Sequence, residues 1–236
     1  MKANTNFEEM QMMKMPSNKP MSSRTAAMAM THRLHLKGPV TDPEDYVEWV
    51  ECIRDAGEHD TIEFHINSPG GNVYTAIELI HAFADTDAHV HVVLSGIVAS
   101  AGTILMTVGD SFEISPYTTF MFHNYSGGTI GKGNEMAIKM DYEREWSRMF
   151  MHEIYEGLLS TEEIDQLLDG RDFWLSAENV GERLSNMIKN REEVAAKMVE
   201  EMMAELEEEK KPKKETKKPC KECGLKTKHK KGCSKA

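Results

Sequence analysis

The chain predicts an α/β fold assembled from repeated strand-turn-helix units with one long helix, and three observations carry that prediction. Apolar and polar residues alternate in short runs, glycine-rich turns stop those runs abruptly, and helical spacing resumes directly after each turn. Of the 236 residues, about 160 belong to such units, enough for a sizeable apolar interior.

The first unit begins at Thr61 to Asn67, where Ile62, Phe64 and Ile66 alternate with Glu63 and His65. It turns at Ser68-Pro69-Gly70-Gly71 and continues as a helix over Val73 to Asp85, with Val73, Ile77, Ile80 and Phe83 or Ala84 on its apolar face. Glycines after Pro69 let the backbone approach a substrate with no Cβ in the way, so their amides are available. The second unit is the apolar run His89 to Leu94, a break at Ser95-Gly96, and a helix over Thr103 to Val108. Asp45 to Ala56 reads as a helix that holds Cys52 in the core, and Phe112 to Ser115 and Thr119 to Phe122 read as strands. Gly133 to Leu159 predicts a long helix striped by Met136, Met140, Trp146, Phe150, Ile154 and Leu158. Ser160-Thr161-Glu162-Glu163 is a capping box that opens the next helix.

Four short stretches carry chemistry. Ser100 sits between Ala99 and Ala101-Gly102 at a strand-to-helix junction, where small neighbours leave its oxygen exposed and the helix start supplies free N–H groups. An attacking alkoxide and its oxyanion need both, and the amides of Gly71 and Ala101 are the nearby donors. The plain alternative for Ser100 is a helix N-cap. His123 ends a strand before the loop Asn124 to Gly128, where a general base would stand; the alternative is one surface histidine among ten. Asp172 follows Gly170 and precedes Phe173-Trp174-Leu175, so it is expected half buried and able to orient an imidazole. Its alternative is a loop carboxylate paired with Arg171.

With these stretches in order, the chain resembles the ClpP-like serine peptidases, the Clp protease proteolytic subunit family. The resemblance rests on Ile66 to Gly71, Gly96 to Gly102, Phe120 to His123 with Gly127-Gly128, and Arg171 to Ala177, and runs from about Arg33 to about Leu184. It implies Ser100 as nucleophile, His123 as base, Asp172 as orienting acid, and Gly71 and Ala101 as oxyanion donors. It also implies a crotonase-like α/β fold, a homo-oligomer of stacked rings with the active sites inside, and a long handle helix by which rings interlock. Two places depart from the family's pattern. Gly170 stands where an acidic residue usually precedes the arginine, and Gly181 to Asn186 replaces a final strand of the Gly-Leu-Ile-Asp type. Such divergence, with Lys-rich and Met-rich extensions, is similar to bacteriophage-encoded members.

Two extensions flank the catalytic domain, which is expected over residues 32–189. Residues 1–31 are polar and Met-rich, broken by Pro16 and Pro20, and hold no run apolar enough for a signal peptide or membrane span. They read as a pore loop, a leader or a propeptide, and the compartment as cytoplasm. Residues 190–209 predict an exposed acidic helix. Residues 210–236 hold twelve lysines against two glutamates, which puts the tail near +10 and the remainder near −21 of a total of −11.

That tail contains Cys220-x2-Cys223-x5-His229-x3-Cys233, four thiolate or imidazole ligands with the spacing of a small zinc site. It resembles a zinc knuckle with its second gap one residue longer and its third one shorter. A basic zinc module suits nucleic acid or an acidic protein surface; the tail has no aromatic residue for base stacking.

Three classes of function follow. The first is a serine endopeptidase acting on protein or peptide substrates, with no cofactor for catalysis. No Gly-x4-Gly-Lys-Ser/Thr motif is present, so unfolding energy would come from a separate AAA+ ATPase partner; a phage head-maturation protease would need none. The second is a catalytically silent scaffold or adaptor of the same fold. The third is a crotonase-type acyl-CoA enzyme, which requires no Ser-His-Asp set at these positions. A serine-lysine peptidase is a neighbouring alternative, against which the His123 and Asp172 segments count.

Overall fold

The computed structural model describes residues 29–210. It contains one mixed six-stranded sheet with its helices. In chain order these are β1 (Thr31–Lys37), a 3-10 turn (Pro43–Tyr46), α1 (Val47–Asp55), β2 (Thr61–Ser68), α2 (Val73–Ala84), β3 (His89–Ala99) and α3 (Ala101–Met106). They continue with β4 (Ser111–Ile114), β5 (Thr119–Phe122), α4 (Gly133–Ile154), α5 (Thr161–Leu168), β6 (Phe173–Ser176) and α6 (Ala177–Lys210).

The sheet runs β1-β2-β3-β5-β6, with β4 also on β3; all pairs are parallel except β5 with β6. Alternation decides which face is covered. Leu34, Leu36, Ile62, Phe64, Ile66, Val90, Val92 and Leu94 point to the helices and are buried, together with Ile53 of α1 and Leu79 of α2. Arg33, His35, Glu63, His65, His89 and His91 alternate with them on the other face and keep contact with solvent. Burying a side chain such as Phe64 contributes about 1.5–3 kcal/mol, so one continuous apolar layer is the dominant stabilising feature.

Several predicted elements are corrected. Ser95-Gly96 does not end its strand: β3 passes through it, with Gly96 at φ 67° and a register shift against β2 between Ile66 and Ser68. The reason is that β3 changes partner there, pairing with β4 over His91 to Leu94 and with β5 over Ile97 to Ala99. The helix after it therefore begins at Ala101 rather than Thr103. In α2 the fully buried face is Thr75, Ala76, Leu79, Ala82 and Phe83, with Val73, Ile77 and Ile80 only half buried.

The long helix α4 ends at Ile154, five residues before its predicted end. Of its predicted stripe, Trp146, Phe150 and Ile154 are half buried against the domain, whereas Met140 is exposed. A second stripe, Ile138, Tyr142 and Met149, spaced four and seven residues apart and so on one side of the helix, is 65–70 % exposed. Gly181 to Asn186 forms no strand, because α6 runs through it and buries Val180, Leu184 and Met187. The described residues of α6 beyond Arg191 are exposed. Among the described residues no helix is long and apolar enough to cross a membrane.

Candidate active site

Ser100 stands where β3 hands over to α3. Its N–H still donates to the Met121 carbonyl of β5 (2.9 Å), and its backbone then turns at φ 53°, ψ −125°. A non-glycine residue at positive φ costs on the order of 1–3 kcal/mol and persists only where its surroundings enforce it. Ala99 and Ala101 are buried beside it, and a Cβ on Gly102 would press to 3.2 Å from the Ser68 carbonyl, so the turn tolerates only small neighbours. The Ser100 hydroxyl does not cap α3. The N-cap alternative is therefore not what the fold uses.

The turn Pro69-Gly70-Gly71 packs directly against this elbow. Gly70 donates its N–H to the Ser68 hydroxyl (3.1 Å). Val40 takes the Gly70 carbonyl and the Asn72 N–H, both at 2.9 Å, which brackets Gly71 as in a parallel ladder. The Gly71 N–H thus points away from Val40, and Gly71 lines the same cleft as Ser100 and Ala101. A Cβ at Gly71, where φ is 151°, would run into the Val40 backbone.

That cleft, about 580 Å³, also contains His123, half buried at the end of β5. Its walls are Tyr74, Ile104, Tyr125, Trp146 and Met151, with the Lys139–Glu143 ion pair (3.5 Å) at one side. Trp146 stacks on Phe150 at 5.0 Å. The volume lies in the usual range for a ligand cleft. Ser100 and His123 share the cleft without a hydrogen bond between them, a separation common before substrate is bound.

Asp172 is placed differently from expectation. The antiparallel β5–β6 ladder ends at the pair Phe122–Phe173, so His123 leaves β5 and Asp172 enters β6 at the same end of the ladder. The carboxylate is nevertheless exposed, and it makes no hydrogen bond or ion pair among the described residues. The half-buried expectation fails because β6 is an edge strand of the sheet, with no further strand to cover the residue that enters it. Arg171 is not its partner either. That guanidinium bonds Gln166 Oε1 (2.7 Å) and lies 4.9 Å over the Phe173 ring.

Sequence reasoning missed Asn124. Its Nδ2 donates to the Leu168 carbonyl (3.2 Å), while its Oδ1 accepts from the Tyr125 N–H (2.8 Å) and the Ser147 hydroxyl (3.0 Å). One amide thus ties the segment after His123 to α4 and α5. Only its place directly after His123 hinted at such a task. Cys220, Cys223, His229 and Cys233, predicted to hold zinc, lie outside the described residues, and no group of three or more metal-ligating side chains occurs among the described residues. Cys52 is half buried 3.4 Å from His32 Nδ1, and burial pushes its thiol up from the usual range.

A sequence model described as Clp protease matches residues 21–183, more than half of the chain. The chain belongs to the Clp protease family. All the site residues from Gly70 to Asp172 fall inside that match. Similar curated relatives include ATP-dependent Clp protease proteolytic subunit 1 of Salinibacter ruber, 28 % identical over 55 % of this chain and 57 % of that protein. Proteolytic subunit 2 of Pseudomonas aeruginosa is 35 % identical over 57 % of this chain and 68 % of its own length. Proteolytic subunit 2 of Thermobifida fusca is 28 % identical over 67 % and 81 %. The chain thus spans little more than half of the Salinibacter relative.

Proposed function

We propose that this chain is a serine-type endopeptidase that works in a Clp-like oligomer. The observation that carries the reading is the convergence, in one cleft, of the uncapped Ser100 hydroxyl at a strained elbow, His123, and the backbone of Gly71 and Ala101. His123 accepts the Ser100 proton as Oγ attacks a peptide carbonyl, and the oxyanion that forms is met by the Gly71 and Ala101 N–H groups. The amine leaves with the proton from His123, and water then hydrolyses the acyl-enzyme. Asp172 orients the imidazole from the adjoining end of the β5–β6 ladder once a neighbouring subunit or the substrate covers the β6 edge. No cofactor takes part.

Assembly uses the stripe Ile138, Tyr142 and Met149 of α4, apolar surface that a single chain leaves in water. The relatives are named as ATP-dependent, which favours a separate Clp-type ATPase as the source of unfolding energy. Nothing in the fold favours the head-maturation alternative. The reading includes action in the cytoplasm, with zinc held by Cys220, Cys223, His229 and Cys233 in the basic tail, which would dock nucleic acid or an acidic protein.

Reaction of the purified protein with a fluorophosphonate probe tests it. Ser100 takes the label, and both Ser100→Ala and His123→Ala abolish it. A folded wild-type assembly that takes no label removes the peptidase reading and leaves the scaffold and acyl-CoA alternatives.

A further inference from the structure

Tyr155 is the bulkiest fully buried side chain among the described residues, and it lies directly after α4. A phenol buried without a partner is costly, so its single side-chain hydrogen bond is informative. The Tyr155 hydroxyl is 2.7 Å from Thr103 Oγ1, itself fully buried, and Thr103 Oγ1 is 2.7 Å from the Ser100 carbonyl oxygen. A carbonyl cannot donate, so the threonine proton points at Ser100 and the tyrosine proton must point at the threonine. Burial pushes the phenol above its usual range, which keeps that proton in place.

The Ser100 carbonyl also accepts the Thr103 N–H at 2.8 Å. It is one end of a planar peptide unit whose other end is the Ala101 N–H. Fixing and polarising the carbonyl therefore aims that N–H and makes it a stronger donor. Tyr155 also packs edge-on against Phe122 at 5.4 Å, and Phe122 directly precedes His123.

We infer that Tyr155, acting through Thr103, is a positioning residue that orients and strengthens the Ala101 N–H as an oxyanion donor. The inference rests on the reading of Ser100 and Ala101 given above. It couples the end of α4 to the nucleophile turn by two hydrogen bonds through Thr103.

The test measures the fluorophosphonate inactivation rate, and kcat and KM on a fluorogenic peptide, for wild type, Tyr155→Phe, Thr103→Val and Thr103→Ser. Losing an oxyanion donor outright costs about 10²–10³-fold, so weakening one predicts roughly a tenfold fall in kcat and inactivation rate. Tyr155→Phe and Thr103→Val show that fall with KM unchanged, and Thr103→Ser, which keeps the hydroxyl, restores the rate. Folded Phe and Val variants that react at the wild-type rate overturn the inference, as does a change confined to KM or a Thr103→Ser as slow as Thr103→Val. Should Tyr155→Phe fail to fold, the Thr103 pair decides alone. A wild type that takes no label overturns the reading of Ser100 instead, and this inference with it.

Discussion

A Cβ built on Gly70 would lie 2.5 Å from the Cβ of Ser100. The two turns, thirty residues apart in sequence, are in backbone contact, and the glycine at φ 94° makes that contact possible. The same Cβ would meet the Ala99 carbonyl at 2.7 Å and the Ala101 N at 2.9 Å, so any side chain there displaces the elbow itself.

Gly70→Ala is accordingly expected to slow fluorophosphonate labelling by about 10²-fold, the usual cost of misplacing reacting groups by about 1 Å. Gly133→Ala, where an added Cβ meets nothing within 4 Å, should label at the wild-type rate. Equal rates for the two variants would remove the steric account of the Gly70 turn.

The position of His123 and Asp172 at the same end of the β5–β6 ladder makes a separate prediction. If the carboxylate orients the imidazole in the working enzyme, Asp172→Asn lowers kcat at least tenfold with little change in KM. An unchanged kcat would mean that Ser100 and His123 act as a pair, consistent with the exposed aspartate of the single chain.

Glu163 predicts a pH dependence of stability. Its carboxylate takes two bonds from Arg183, at 2.7 and 2.8 Å, and one from the Ser160 N–H at 2.9 Å. The Arg183 hydrogen bond is the main reason its pKa falls below the usual carboxylate range. A depressed folded pKa stabilises above the unfolded value, and the contribution disappears as pH drops through the folded value. Both side chains are about a quarter exposed, so Glu163→Gln should cost about 1 kcal/mol at pH 7. Urea unfolding at pH 7 and at pH 3 checks this: the gap between variant and wild type narrows as pH falls, and a constant gap counts against the ion pair.

Surface charge on α4 tests assembly. Ile138→Glu combined with Met149→Glu should shift the particle mass in sedimentation velocity from the oligomer to smaller species while leaving the fold intact by circular dichroism. An unaltered oligomer would move the interface to another surface.

For the tail, metal analysis of the purified full chain should find one zinc per chain, lost in a Cys220→Ser, Cys223→Ser double variant. Equal zinc in both proteins would assign the metal elsewhere.

Much of this molecule is legible in local sequence. Ile62, Phe64 and Ile66 announce β2 because a period of two belongs to the strand itself. Ser160 and Glu163 announce α5 because a capping box closes within four residues; both its hydrogen bonds form. The order of Ser100, His123 and Asp172 is likewise written along the chain, and two of the three meet in the cleft.

What the sequence by itself determined, then, is where β2, α2, β3, β5, α4 and α5 begin, the glycine turn after Pro69, and the order of the candidate acyl-transfer residues, all properties of neighbours in the chain. The tertiary structure alone decided that β3 runs on through Gly96, because a second partner strand waits there. It also decided that Asp172 lies at an open edge and that α4 shows water Ile138, Tyr142 and Met149. Tyr155 supports Ser100 across fifty-five positions for the same reason. Burial and long-range hydrogen bonds depend on which distant segment arrives alongside, and no local pattern encodes that arrival.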